Sequence, residues 1–155
     1  MFFQAQALLD VVLSLSFLVA IRNTSSWGGG DFLGVLIWVV AVVGESVADR
    51  QLERFRTEPA NRGKTCRMGL WRYSRHPNYF FEWLVWCGIG LAALAAPLGW
   101  LALASPAIML FLILKVTGIP PTEERAVLSR GKDYRDYQAT TSAFVPWLPK
   151  KESTV

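Results

Sequence analysis

Long apolar runs separated by short polar loops set the pattern of this chain. Phe2 to Ala20 is the first run, with Gln4, Gln6 and Asp10 inside it. Arg22 to Asp31 is a polar loop with Gly28-Gly29-Gly30 at its tip, a flexible connector rather than a phosphate loop because no Lys or Ser/Thr follows the glycines. Phe32 to Ala48 is the second run, and it passes without a breaker into Asp49-Arg50-Gln51-Leu52-Glu53-Arg54-Phe55-Arg56. That pattern predicts one helix emerging as a charged extension. Pro59, Asn61 and Gly63 mark the loop that follows. From Trp83 to Leu114 there are 32 consecutive residues without a charge. That is too long for one crossing of roughly 20 residues, and Pro97-Leu98-Gly99 divides it. The pattern predicts an all-α, multi-pass transmembrane bundle in a single domain over residues 1–155, with four spans near 2–20, 32–50, 77–96 and 100–116. Pro106 is expected to bend the fourth span and Lys115 to snorkel from its end. Gly118-Ile119-Pro120-Pro121 stops that span, Thr122 caps a short helix ending before Gly131, and an aromatic, charged tail runs from Lys132 to Pro149.

Composition supports the pattern. The 155 residues are 52% hydrophobic and 18% charged, whereas soluble domains carry about 25% charged residues. An ordinary soluble globule, a disordered chain and a nucleic-acid-binding domain are excluded. The net charge is +4, and its placement matters more than its size. Of 16 Lys and Arg, eight fall between Arg50 and Arg75, seven from Lys115 onward, and only Arg22 elsewhere. Basic residues that flank apolar runs on one side follow the positive-inside rule. Both termini and the Arg50–Arg75 loop are therefore expected in the cytoplasm, in a bacterial inner membrane or the endoplasmic reticulum. The Arg22–Asp31 loop and the Pro97 turn then face outward. The basic, aromatic segment Cys66 to Ser74 suits the interface, with Trp71 and Tyr73 at headgroup level. Cys66 and Cys87 lack metal-ligand spacing and read as free thiols, and with one histidine in the chain no metal is expected. The apolar start lacks a basic leader region and a cleavage site. It reads as a span entered abruptly, as if the chain began partway into a larger protein.

Three polar constellations carry the candidate chemistry. Pro77 disfavours helix at His76 and suits the first helical position, so a helix starts there with its free N–H groups beside Arg72, Arg75 and His76. That arrangement fits a phosphate or carboxylate; simple anchoring of a helix end to headgroups is the other reading. Arg75, Asn78 and Glu82 share one helical face, and an intramembrane carboxylate such as Glu82 normally faces a cavity or a partner. Glu45, Asp49 and Arg56, with Glu53 near them, line one face of the second helix. The like-charge pairs Asp49–Glu53 and Arg50–Arg54 favour external partners for these charges. The third constellation is the tail, with Glu124, Arg130, Tyr134 and Tyr137 before Ala143-Phe144-Val145-Pro146-Trp147. It reads either as an amphipathic segment lying on the membrane or as a lid over a cofactor. Together these groups suit a large anionic cofactor held at the membrane surface.

The motif Gly-Leu-Trp-Arg-Tyr-Ser-Arg-His-Pro-Asn-Tyr-Phe-Phe-Glu-Trp, Gly69 to Trp83, closely resembles the DUF1295 membrane family. That family is grouped with steroid 5-alpha-reductases, sterol reductases and isoprenylcysteine carboxyl methyltransferases. The resemblance extends to Glu45, Asp49 and Arg56, to Pro59–Lys64, to Gly118-Ile119-Pro120 and to Thr141–Trp147. It implies an NADPH-dependent reductase of a carbon–carbon double bond in a steroid- or isoprenoid-like lipid. Asp49 and Arg56 then look like cofactor contacts, Asn78 and Glu82 like the reductase pair, and Tyr134 or Tyr137 like the tail tyrosine that closes over the cofactor. Methyltransferase relatives share the Arg-(His/Asn)-Pro-x-Tyr pattern, here Arg75-His76-Pro77-Asn78-Tyr79, and a glutamate like Glu124, but bind S-adenosylmethionine. Asn78 and the acidic stripe at 45 and 49 favour the reductase. An inactive cofactor- or lipid-binding fragment is the third possibility. The reductases' N-terminal helices, which polarise the substrate carbonyl, have no counterpart here. No catalytic residue is therefore assigned, and a partner chain supplying such helices is a further expectation, alongside membrane lipids and a hydrophobic substrate.

Overall fold

A computed structural model describes residues 2–24 and 26–150. Among them the regular elements are all helical: α1 (Phe2–Ile21), α2 (Gly29–Thr57), α3 (Pro77–Ala92), α4 (Ala104–Phe111), α5 (Ile119–Arg130) and α6 (Lys132–Thr140). Short 3₁₀ segments cover Pro59–Asn61, Gly69–Arg72 and Gly99–Leu103, and a π-helical turn covers Leu112–Val116. Two stretches are long and apolar enough to cross a membrane: α2 and the run Gly99–Arg130. α3 has 16 residues, about 24 Å at 1.5 Å per residue, and the chain turns directly after it. α2 carries Phe32, Leu33, Leu36, Trp38, Val40 and Val43 outward and exposed. A helix apolar all round with its large side chains outside belongs in a membrane.

The chain folds as two compact units, Met1–Val42 with Trp83–Phe111, and Val43–Glu82 with Leu112–Val155. In the first, α2 and α3 touch through glycine. A Cβ on Gly88 would stand 2.7 Å from the Gly34 carbonyl oxygen and 2.9 Å from the Trp38 nitrogen, so only a bare backbone permits this crossing. α1 is tied to the Gly99–Phe111 stretch by polar glue. The buried Ser16 Oγ donates to the Ala102 carbonyl at 2.9 Å and pairs with Ser105 Oγ at 2.5 Å. Trp83 donates its indole N–H to the Pro106 carbonyl at 3.1 Å. Pro106 sits in the first turn of α4, where a missing N–H costs nothing. The irregularity of this stretch lies instead in the π-helical turn at Leu112–Val116.

The second unit contains the end of α2, the basic loop, the start of α3, α5, α6 and the tail. Trp71 is buried and gives its indole N–H to the Ala48 carbonyl at 2.9 Å. It therefore packs on α2 rather than standing exposed. α5 begins at Ile119, three residues before the expected cap at Thr122, because Pro120 and Pro121 fit its first turn. Thr122 Oγ1 instead donates back to the Gly118 carbonyl at 2.8 Å. α5 ends at Gly131, whose φ of 56° lies in the region that glycine tolerates. The tail is strapped to the motif loop: Arg75 N–H donates to the Ser142 carbonyl at 2.8 Å, Trp147 N–H to the Tyr73 carbonyl at 2.9 Å, and Ser74 Oγ to the Phe144 carbonyl at 2.7 Å.

Gly88→Ala is expected to cost about 1–3 kcal/mol, the usual range for overpacking, because its neighbours are backbone atoms that cannot yield. Gly30→Ala, with nothing within 4 Å of the new methyl, is expected to be neutral or slightly stabilising. Thermal unfolding of both variants in detergent checks the contrast.

Candidate functional site

A cavity of about 490 Å³ opens in the second unit. That volume lies within the range of small-molecule sites, roughly 300–1,000 Å³. α2 contributes Asp49, Leu52, Phe55 and Arg56 to its wall, one helical face at spacing i, i+3, i+6 and i+7. The loop contributes Asn61 to Cys66, fixed at both ends. Asn61 Nδ2 donates to the Phe55 carbonyl at 3.0 Å. Asp133 accepts from Thr65 N–H at 2.8 Å and from Arg67 Nη2 at 2.9 Å. α5 presents Thr122, Ala126 and Arg130 at spacing i, i+4 and i+8, and α6 adds Tyr134 and Tyr137. Five cations line the space, Arg56, Arg62, Lys64, Arg75 and Arg130, against one carboxylate, Asp49. The field inside is strongly positive.

Glu123 organises the wall from behind. Its Oε1 accepts from Arg75 Nε at 2.6 Å and lies 3.2 Å from His76 Nε2; its Oε2 accepts from Gln138 Nε2 at 2.8 Å. Burial by itself would raise this carboxyl. The hydrogen bonds from His76, Arg75 and Gln138, with the charge of Arg75, outweigh it and hold the group down at about 2. An ionised Glu123 accepts and cannot donate, so Nε2 of His76 carries a proton. Arg75 spends its remaining reach on the carbonyls of Gln138 at 3.0 Å and Thr141 at 2.7 Å through Nη1. It is thus a structural clamp as much as a ligand-facing cation. His76 is 3% exposed and stacks on Tyr79, centroids 5.3 Å apart and nearly parallel. Tyr79 OH lies 3.2 Å from Thr122 Oγ1.

The two tail tyrosines differ in function. Tyr137 is 2% exposed and gives its hydroxyl to the carbonyls of Trp71 and Ser74, fixing the motif loop. Tyr134 points its hydroxyl toward Glu123 at 3.5 Å. Burial, then the neighbouring Glu123 charge, pushes Tyr134 up to about 12, and burial pushes Tyr137 up as well. Both stay protonated. Burial likewise pushes the Cys66 thiol up, and Cys66 and Cys87 are both free. Asn78 also lines the cavity, with its Oδ1 buried and without a hydrogen-bond partner.

Of the residues expected from sequence, Asp49, Arg56, Arg75, His76, Asn78, Tyr79, Tyr134 and Tyr137 line this one cavity. Glu45, Arg72, Glu82 and Glu124 do not. Glu45 and Glu82 lie on the apolar stretches of α2 and α3. Arg72 and Glu124 are exposed. The glutamate that binds Arg75, His76 and Gln138 behind the wall is Glu123, the neighbour of Glu124. The sequence carries a signal for it: Ile119, Glu123, Ala126 and Arg130 follow a 4-3-4 spacing, and the buried Ile119 and Ala126 mark that face as the inner one. Glu124 lies about 100° around the helix. Asn61, Arg62 and Lys64 carry no such signal, because a loop has no periodicity to read.

Glu123→Gln is expected to cost about 1–3 kcal/mol of stability, since it leaves the half-buried Arg75 beside a neutral group, while Glu124→Gln stays within about 0.5 kcal/mol. Because the folded value of about 2 lies below the ordinary 4.5, the stabilisation is complete above about pH 4.5 and drains away as pH falls toward 2. Acid unfolding monitored in detergent should lose that slope in Glu123→Gln.

The chain is 34% identical over 93 residues to a protein of Ustilaginoidea virens described as "Probable O-methyltransferase ustE". The match covers 54% of this chain and 32% of that relative, so the chain spans about a third of its length. No solved structure matches the chain. Residues 1–141 match the family described as "Protein of unknown function (DUF1295)", and the chain belongs to that family.

Proposed function

We propose that the protein is a membrane-embedded enzyme that binds NADPH in the basic cavity and reduces a carbon–carbon double bond of a steroid- or isoprenoid-like lipid. The observation that carries this reading is the charge of the wall: Arg56, Arg62, Lys64 and Arg130, beside the Glu123-paired Arg75, against one carboxylate, Asp49. NADPH is a polyanion and suits such a field; its phosphates match Arg56, Arg62, Lys64 and Arg130. Asn78 and Asp49, both in the wall, suit the amide and the ribose hydroxyls. When bound, NADPH supplies a hydride. The chain's own groups bind and orient it: Tyr79, stacked on His76 and hydrogen-bonded to Thr122, presents a fixed aromatic face. Four crossings, both termini in the cytoplasm and further helices from a partner chain belong to the same proposal.

S-adenosylmethionine-dependent O-methyl transfer is the second reading, favoured by the name of the Ustilaginoidea virens relative. A cationic sulfonium gains nothing from a basic cavity, which is why it stands second.

Calorimetry in detergent separates the two. NADPH is expected to bind with an affinity that falls as salt rises, and Arg56→Ala and Asn78→Ala are each expected to weaken it about tenfold, or about 1.4 kcal/mol. These variants are preferable to Arg75→Ala, which also breaks the Glu123 clamp. Binding of S-adenosylhomocysteine with none of NADPH selects methyl transfer, and no binding of either overturns the cofactor reading.

A further inference from the structure

The tail places large apolar side chains in solvent while its backbone is held firmly. Val145 is 51% exposed, Trp147 72% and Leu148 74%, and Tyr73 beside them is 38% exposed. The segment is not loose. Trp147 N–H is bonded to the Tyr73 carbonyl, Lys150 N–H to the Thr140 carbonyl at 2.8 Å, and the Phe144 carbonyl receives Ser74 Oγ. Phe144 itself turns inward, 8% exposed, against Phe80 at 5.6 Å. The apolar groups that follow it are therefore fixed outward. Tyr73, Pro146, Trp147 and Leu148 surround a shallow apolar hollow of about 340 Å³.

Charge says what covers this surface. Arg72, next to Tyr73, and Lys150, just after the tail, are both exposed. Neither Arg72–Arg75 nor Thr141–Lys150 contains an acidic residue. Aromatic and aliphatic groups flanked by cations without acids fit an anionic lipid surface, with tryptophan at the headgroup boundary. The patch also adjoins the start of α3 at Pro77, where the chain turns from polar loop to apolar helix.

We infer that Tyr73, Val145, Trp147 and Leu148 form a membrane-interface anchor, seated at the acyl boundary of an anionic leaflet with Arg72 and Lys150 on its phosphates. The anchor holds the strap over the motif loop, and so one wall of the cavity, at the membrane surface. It rests on the membrane reading but not on the identity of the cofactor.

The test uses the full chain with Cys66→Ala and Cys87→Ala, carrying Trp147→Cys or Leu148→Cys with a fluorescent label. The protein is reconstituted in phosphatidylcholine vesicles with or without phosphatidylglycerol. Both labels are expected to be quenched severalfold more by lipid bearing a shallow spin label than by acrylamide in the water. Phosphatidylglycerol should deepen that quenching, and Arg72→Glu with Lys150→Glu should abolish the deepening. Val40→Cys on the exposed face of α2 reports embedding independently. Acrylamide access at 147 and 148 while the Val40 label is quenched from deep lipid overturns the anchor alone. Acrylamide access at all three positions overturns the anchor and the membrane reading together.

Discussion

A carboxylate half-buried beside a guanidinium and an imidazole stays ionised when its neighbours replace the water it has lost. Glu123 meets that demand with Arg75, His76 and Gln138, contributed by the loop before α3 and by α6. The consequences spread through the second unit. Arg75, drawn to Glu123, is positioned to bond the carbonyls of Gln138 and Thr141, which close the end of α6. Those bonds set the tail where Ser142 pairs with Ser74 and where Trp147 reaches Tyr73. One ion pair thereby ties the start of α3, α5, α6 and the strap into a single polar frame around the cavity.

The same ion pair changes the accounting of charge inside the cavity. Arg75 is largely neutralised by Glu123, so it adds less to the field than its place in the wall suggests. The uncompensated cations are Arg56, Arg62, Lys64 and Arg130, which come from the end of α2, the loop and the end of α5. Arg130 lies over the Tyr134 ring at 5.9 Å, a contact that fixes the guanidinium without removing its charge. A polyanion gains from four such groups at once, whereas a zwitterion with a sulfonium centre gains from few of them. This difference, more than cavity volume, is what supports the proposal of a phosphorylated cofactor.

The sequence disclosed whatever depends on periodicity. The apolar runs foretold α1, α2 and α3, the start at Pro77, the continuous passage of α2 into its charged end and the break at Gly131. The stripe from Asp49 to Arg56 and the Arg75–Tyr79 motif foretold which side chains would meet. It was silent where the deciding interaction joins distant residues. Trp71 looked like an interfacial tryptophan because its neighbours are basic; a single bond to the Ala48 carbonyl takes it inward. Glu123 and Glu124 are chemically equivalent in sequence, and only the phase of α5 separates a buried clamp from an exposed charge. The strap between Ser74 and Ser142 links segments that no local pattern connects.

The strap has two unlike faces. Its inner side carries Phe144, packed against Phe80, and the carbonyls that hold Ser74 and Arg75 in place. Its outer side carries Val145, Trp147 and Leu148. Phe144 turns inward while Val145, Trp147 and Leu148 turn outward, so one short segment packs on Phe80 with one side and leaves the other exposed. The motif loop is then fixed from one side by Glu123 and Tyr137 and from the other by the strap. The strap's share of that fixation rests on backbone hydrogen bonds, from Arg75 N–H to Ser142 and from Trp147 N–H to Tyr73, rather than on mobile side chains.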